Sequence, residues 1–473
     1  MKYCLQILLA LFIFSCSTNE KKSGETESNS IVEEPKVGLQ WTNEIKDPKI
    51  ALEVKREVLD NGLTVLLARN THLPLFSFYT FYKVGSRYED LGMTGASHFL
   101  EHLMFKGAKK YGPGQFDSII EENGGSNNAY TTSDLTVYYE NLPTGSLSTI
   151  IDLEADRMDN LLLAPESFEK ERAVILEERK MRYENSPQGK LFLEMFLEMF
   201  KGTPYGNSII GRIADLKSVS RDQIQAYFKQ FYVPNNAIVV IVGDIDVDKT
   251  LAQIKKSFGS IPFSDATEKI KETKDNPKNY LFKTSFGRSI KLKGSSVNPL
   301  FSLVYKGEAL GKRRGFVMDI VASILGDGSS SYLVQKYVNG KKPLLSNIYV
   351  ANYNLEKNGL FFISGELLKT TKLKWFENKL KREIRSVCQE AITDRSVQKT
   401  KNQYLVEFYN SLQTNAGIAG FLGIRQATYG DYNYYQTELE TYAAISTNEV
   451  KQVCNEIFSS HENLFFSVWD RHL

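Results

Sequence analysis

Cysteine is scarce in this chain: 473 residues carry four, and no two of them form a Cys-x-x-Cys pair. A zinc site built from paired thiolates is thereby excluded. Cys388 and Cys454 fall on helix-like stretches and are read as two separate buried thiols rather than a bridge. Charge of one sign is not in excess either. Lys and Arg number 58 against 56 Asp and Glu, a net charge of +2. That leaves no basic field for nucleic acid and no acidic tail. The apolar stretch at residues 5–14 falls short of the roughly 18 residues that a membrane-spanning helix needs. Histidine is rare as well, with five in the whole chain, so the placement of any two is informative.

That short apolar stretch belongs to an opening segment, "MKYCLQILLALFIFSCS", with a basic residue ahead of it and small Ser15 before Cys16. It resembles a bacterial lipoprotein signal, with residues 1–15 removed and Cys16 acylated. Phe14 is bulkier than usual at that place, and an ordinary cleaved signal with an incidental cysteine is the competing account. Residues 16–48 are polar and poor in aromatics and read as a flexible tether. The protein is therefore expected in the bacterial cell envelope, lipid-anchored and facing the periplasm.

Two of the histidines stand four apart in "SHFLEHLMFKG". On a helix His98 and His102 share one face a turn apart, with Glu101 beside them. The flanking Phe99, Leu100, Leu103, Met104 and Phe105 leave almost no polar face, so burial is expected. Buried imidazole and carboxylate need partners, and a metal ion supplies one. His-x-x-Glu-His inverts the commoner zinc-protease order and carries the same parts. Two neutral imidazoles hold Zn2+, and the glutamate is placed to take a proton from the attacking water.

A catalytic zinc site normally takes three protein ligands. The third is sought in "PESFEKERAVILEERKMRYE", residues 165–184, which Pro165 opens and "NSP" closes as a helix. At helical spacing Phe168, Val174, Ile175 and Met181 define an inward face, with Glu171 and Glu178 near its middle and Glu177 at its edge. Zinc ligation accounts for Glu178, and Glu171 beside it would support the catalytic centre. An inward salt bridge, for instance with Arg182, is the competing account.

With these residues in place, the chain resembles the pitrilysin and mitochondrial-processing-peptidase (insulinase-like) family of inverted-motif zinc metallopeptidases. The likeness rests on "HFLEH", "GGSNNAYTTSDLTVYYENL", "FEKERAVILEERKM", "PYGNSIIG" and "YVPNNAIVVIVGDID", which run in the family's order from about 58 to 246. The resemblance implies a zinc endopeptidase that cleaves extended or unfolded peptides inside a chamber. It puts Glu178 in the place of the third ligand. It also implies that "GGSNNAYTTSDLTVYY" forms an edge strand for substrate pairing, with Asn128 and Ala129 facing the peptide.

The fold implied is α+β, with two tandem homologous domains, each a mostly antiparallel sheet flanked by helices, that together make half of a clamshell chamber. A catalytic zinc domain is assigned to residues 49–263, a polar linker to 264–280 and a non-catalytic homologous domain to 281–473. The residues support a repeat. A hairpin around Asn61-Gly62, the strand "LFSFYTFYKVG" and a closing "AIVVIVGDID" with its following helix are echoed later. The later counterparts are "LFSLVYKGEAL", the helix "RRGFVMDIVASILG", a strand near "NGLFFISGELL" and "ENLFFSVWD".

The second half departs from the family at one place. Self-sufficient members carry an arginine and, seven residues on, a tyrosine that bind substrate and steady the developing oxyanion. Here Val338 and Leu345 occupy those positions. The departure implies a heterodimer with a homologous subunit that supplies both groups. A zinc-bearing but non-hydrolytic scaffold or binding subunit is the alternative function.

Overall fold

The computed structural model describes residues 53–469 apart from 295 and 370. The segment 1–15 expected to be a signal, the expected acylation site Cys16 and the expected tether 16–48 lie outside the described residues. Eleven strands form two sheets among these residues. The first holds β1 (Val54–Val58), β2 (Thr64–Arg69), β3 (Leu75–Tyr82), β4 (Ser126–Thr131), β5 (Thr136–Pro143) and β6 (Ala237–Gly243), in the order β1-β2-β6-β3-β5-β4. The second holds β7 (Arg288–Lys293), β8 (Leu300–Lys306), β9 (Leu345–Asn354), β10 (Gly359–Leu367) and β11 (Asn463–Trp469), in the order β7-β11-β8-β10-β9.

The two orders are the same once β1 is set aside. In each, one parallel pair, β2 with β6 and β7 with β11, precedes a run of antiparallel neighbours. The architecture is α+β with two homologous domains. The hairpin at Asn61-Gly62 forms as its turn residues dictate, with Gly62 at φ 85°. The amide of Asn61 fastens it to the carbonyls of Phe258 (2.8 Å) and Ile261 (2.9 Å).

The helices that position the site are α1 (Ala96–Leu103), α2 (Leu147–Asn160), α3 (Pro165–Arg179), α4 (Pro187–Met199), α5 (Asp265–Lys274), α6 (Arg313–Gly326), α7 (Asn415–Tyr429) and α8 (Thr447–Ser459). Each half lends a helix to the other. From the first half α4 packs on β8 and β11, while α7 from the second packs on β3 and β6. The close seat of α7 needs a glycine, since a Cβ on Gly423 would lie 2.0 Å from the Phe81 ring. Two apolar cores result, one around Phe99, Leu100 and Phe168, the other around Phe301, Val317 and Phe361.

Three sequence expectations need correction. The stretch read as a polar linker carries helix α5, because its few anchoring groups dock it on the first half. The Thr267 side chain is buried there, and Lys271 Nζ donates to Asn236 Oδ1 at 2.9 Å. On α3 the buried face is Phe168, Glu171 and Ile175, whereas Val174 and Met181 are 48% and 68% exposed. The face is centred between Phe168 and Ile175, which leaves Val174 and Met181 beyond its margin. A π-helical turn at Lys180–Glu184 then continues the helix to the expected end.

The third correction concerns Cys388 and Cys454, which form a disulfide across a Cα–Cα distance of 5.8 Å. Cys388 lies on a short helix, Val387–Ala391, packed against α8, which carries Cys454. A separation of 66 residues hid that adjacency from the sequence.

Candidate metal centre

Helix α1 is buried along most of its length, as its apolar sequence requires. Its N-terminus is held by acceptors from outside the helix. Gly95 at φ 92° is the cap, and the Glu89 side-chain oxygens accept from the Gly95 N–H (2.6 Å) and the Ser97 N–H (2.8 Å). Asp215 accepts from the Thr94 N–H and hydroxyl at 3.2 and 2.6 Å, and the hydroxyls of Ser97 and Tyr227 meet at 2.9 Å. These contacts fix the pitch at which His98, Glu101 and His102 leave the helix.

The three expected ligands converge. His98 Nε2 lies 3.7 Å and His102 Nε2 3.4 Å from Glu178 Oε2, and one donor atom of each side chain falls within a 4.8 Å group. Bonds of about 2.0–2.1 Å at tetrahedral angles separate two ligand atoms by roughly 3.3 Å. Two imidazoles and a carboxylate at this spacing fit a zinc ion. The competing salt bridge is present as well, because Glu178 Oε1 accepts from Arg182 Nη2 at 2.9 Å. It uses the other oxygen, so Oε2 is left for the histidines. Glu171 stands behind the group as expected, with Oε2 at 3.1 Å from His102 Nδ1 and Oε1 at 2.8 Å from Lys106 Nζ. His98 Nδ1, by contrast, is buried with no hydrogen-bond partner.

Electrostatics sort the four groups. Burial pulls His98 down to about 3, only partly offset by Glu178, so the imidazole is neutral and open to a metal. Burial pushes Glu178 up, but His102, His98 and Arg182 outweigh it and hold the carboxyl at about 2. His102 is shifted upwards, because Glu178, Glu101 and Glu171 together overcome its burial. Glu101 is also shifted upwards. Burial raises it more than the Thr131 hydroxyl, donating to Oε2 at 2.5 Å, lowers it.

Thr131 was not singled out in the sequence. It ends β4, the edge strand of the first sheet, so the carboxylate and the free strand edge are tied together. Asn128 and Ala129 lie on β4, the first exposed and the second half-buried. The Ala129 N–H donates to Asn128 Oδ1 at 2.8 Å.

In the second domain, α6 occupies the topological place of α1 and carries no histidine. Its Asp319 is held there by Asn352 at 2.9 Å and the Tyr442 hydroxyl at 2.7 Å. Val338 is half-buried and Leu345 is in the core, so neither offers a donor at the position where the family's arginine and tyrosine were sought.

The pattern described as "Insulinase (Peptidase family M16)" matches residues 65–212, and that described as "Peptidase M16 inactive domain" matches 218–404. The chain is 28% identical over 413 residues to zinc protease PqqE of Helicobacter pylori, covering 86% of this chain and 90% of that protein. It is 24% identical over 408 residues to the probable mitochondrial-processing peptidase subunit beta of Arabidopsis thaliana, covering 84% and 75%. A solved protease structure from Helicobacter pylori superposes with a TM-score of 0.80 at 26% identity, over 88% of this chain and all of that one. Both halves are thus matched in order, and the chain belongs to the M16, or insulinase, family of peptidases.

Proposed function

We propose that this protein is a zinc-dependent endopeptidase for extended or unfolded peptides, with His98, His102 and Glu178 as ligands and Glu101 as general base. The observation that carries the reading is the meeting of His98 Nε2, His102 Nε2 and Glu178 Oε2 beside a half-buried Glu101 whose proton affinity is raised. Zinc held there would supply a Lewis acid for the scissile carbonyl. Glu101, steadied through Oε2 by Thr131, takes the proton of the attacking water and passes it to the leaving amine. Glu171 orients His102, and Lys106 compensates its charge. The free edge of β4, with Asn128 and Ala129, receives the peptide backbone as an added strand.

One observation favours a second reading, a zinc-bearing subunit without turnover of its own: the apolar Val338 and Leu345 leave the oxyanion without donors from this half. A homologous partner that supplies arginine and tyrosine, closing the other half of a clamshell chamber, reconciles the two. A lipid anchor at Cys16 in the bacterial envelope, facing the periplasm, is the proposed location. The disulfide Cys388–Cys454 supports an oxidising compartment.

Turnover of a fluorescence-quenched peptide by the full chain, with and without its partner, tests the activity. Cleavage abolished by a chelator and restored by zinc is expected. Zinc binding with no cleavage under either condition would favour the scaffold.

A further inference from the structure

Beside the metal centre lies a cleft of about 290 Å³ between the end of α3, helix α4 and the glycine-containing loop that follows α4. Its walls include Arg179, Lys201 and Arg212, with Ser208 and the apolar Leu193 and Leu197, and no carboxylate lines it. Arg179 is the unusual member. Its side chain is only 13% exposed, and its Nε and Nη1 are buried without a hydrogen-bond partner. The carboxylate of Glu184 approaches Nε to 3.7 Å, beyond hydrogen-bond reach.

A buried guanidinium with unmade hydrogen bonds is costly, and a fork of donors matches an oxyanion better than it matches water. We propose that this cleft is a binding site for a small oxyanion, a carboxylate or a phosphate, gripped by Arg179 with Lys201 and Arg212 at its mouth. The site is distinct from the ligand set, whether or not that centre hydrolyses peptides. It is mechanically close to it all the same. Arg179 directly follows Glu178, and Gly211 packs against Gly95 so tightly that a Cβ on Gly95 would sit 2.9 Å from the Gly211 Cα.

Calorimetric titration of the zinc-loaded full chain tests this with two probes, inorganic phosphate and N-acetylglycine, at an ionic strength held constant with chloride. Saturable binding of at least one probe is expected, and the tighter one shows whether free phosphate or a peptide carboxylate is the better occupant. Arg179→Gln should weaken that binding by about tenfold or more, as the loss of a charge-assisted hydrogen bond implies. The double variant Lys201→Gln/Arg212→Gln should also weaken it. That variant leaves α3 untouched, so it decides the matter if Arg179→Gln fails to fold. Absence of binding to the unaltered chain, or binding that the double variant keeps at full strength, overturns the proposal.

Discussion

At the scale of single residues, the proposed function divides four side chains into metal holders and a base, and substitution separates them. His98→Ala, His102→Ala and Glu178→Gln each remove a converging donor atom and should each lower zinc content sharply, read by metal analysis of the purified chain. Glu101→Gln should keep its zinc and lose turnover by about a hundredfold or more, because only the proton acceptor goes. Zinc loss in Glu101→Gln, or full occupancy in Glu178→Gln, would contradict the assignment. Thr131 gives a second test. Its hydroxyl lowers the proton affinity of Glu101 against a burial that raises it, so Thr131→Val should move the acid limb of the pH–rate profile upwards. A loss of about tenfold at the acid end, shrinking as pH rises, fits the removal of a hydrogen bond to a charged group. An unmoved limb would mean that Thr131 only fills space. The His-x-x-Glu-His spacing and the two inward carboxylates of α3 were legible in the sequence because helical periodicity sets each group on one face, and the family resemblance paired the two helices. Thr131 and Lys106 were not, since their roles depend on which strand edge and which helix the fold sets against α1.

Among the elements, α1 depends on an acid that precedes it. Glu89 is pushed up to about 8 by burial, against the opposing pull of the Ser97 and Gly95 N–H groups. A carboxyl whose folded value exceeds its ordinary 4.5 gives its full stability below that pH and loses it as pH rises through about 8. Glu89→Ala should therefore lower the melting temperature, with about 1–3 kcal/mol for each N–H left unpaired, and the deficit should be larger at pH 5 than at pH 9. Thermal melts at the two pH values decide it, and a deficit that widens towards pH 9 would refute the account. The strands were read well wherever β-branched and aromatic residues ran between turn signals, as in β3, β6, β8 and β11. Strands β7 and β9 escaped because they are partly exposed edges with polar alternation. Helix α5 escaped because its face rests on Thr267 and Lys271 rather than on an apolar stripe. The Cys388–Cys454 pairing was invisible for a different reason: contact between two distant helices leaves no periodic trace.

At the scale of the whole molecule, two expectations concern what lies beyond the described residues and beyond this chain. Among the described residues no helix is long and apolar enough to cross a membrane; the attachment proposed is the lipid on Cys16. Cys16→Ala should release the protein from the membrane fraction or block its processing. A variant still fully processed and tightly bound would defeat the lipoprotein reading. The second expectation follows from the repeat itself. The second domain reproduces the strand order of the first, yet Asp319 stands on α6 without a histidine, and Val338 and Leu345 fill the places where oxyanion donors were sought. Water attack on a peptide carbonyl builds charge on oxygen, and the loss of one positioned donor typically costs on the order of a hundredfold or more in rate. Metal at the ligand set can polarise the carbonyl, so the lone chain should keep a trace of cleavage. A homologous subunit lacking the zinc motif but bearing arginine and tyrosine should raise turnover by about tenfold or more when added. It should do so without changing the zinc content, because the proposed ligands all come from this chain. Full activity from the isolated chain, unchanged by the partner, would mean that another residue of this half already faces the oxyanion.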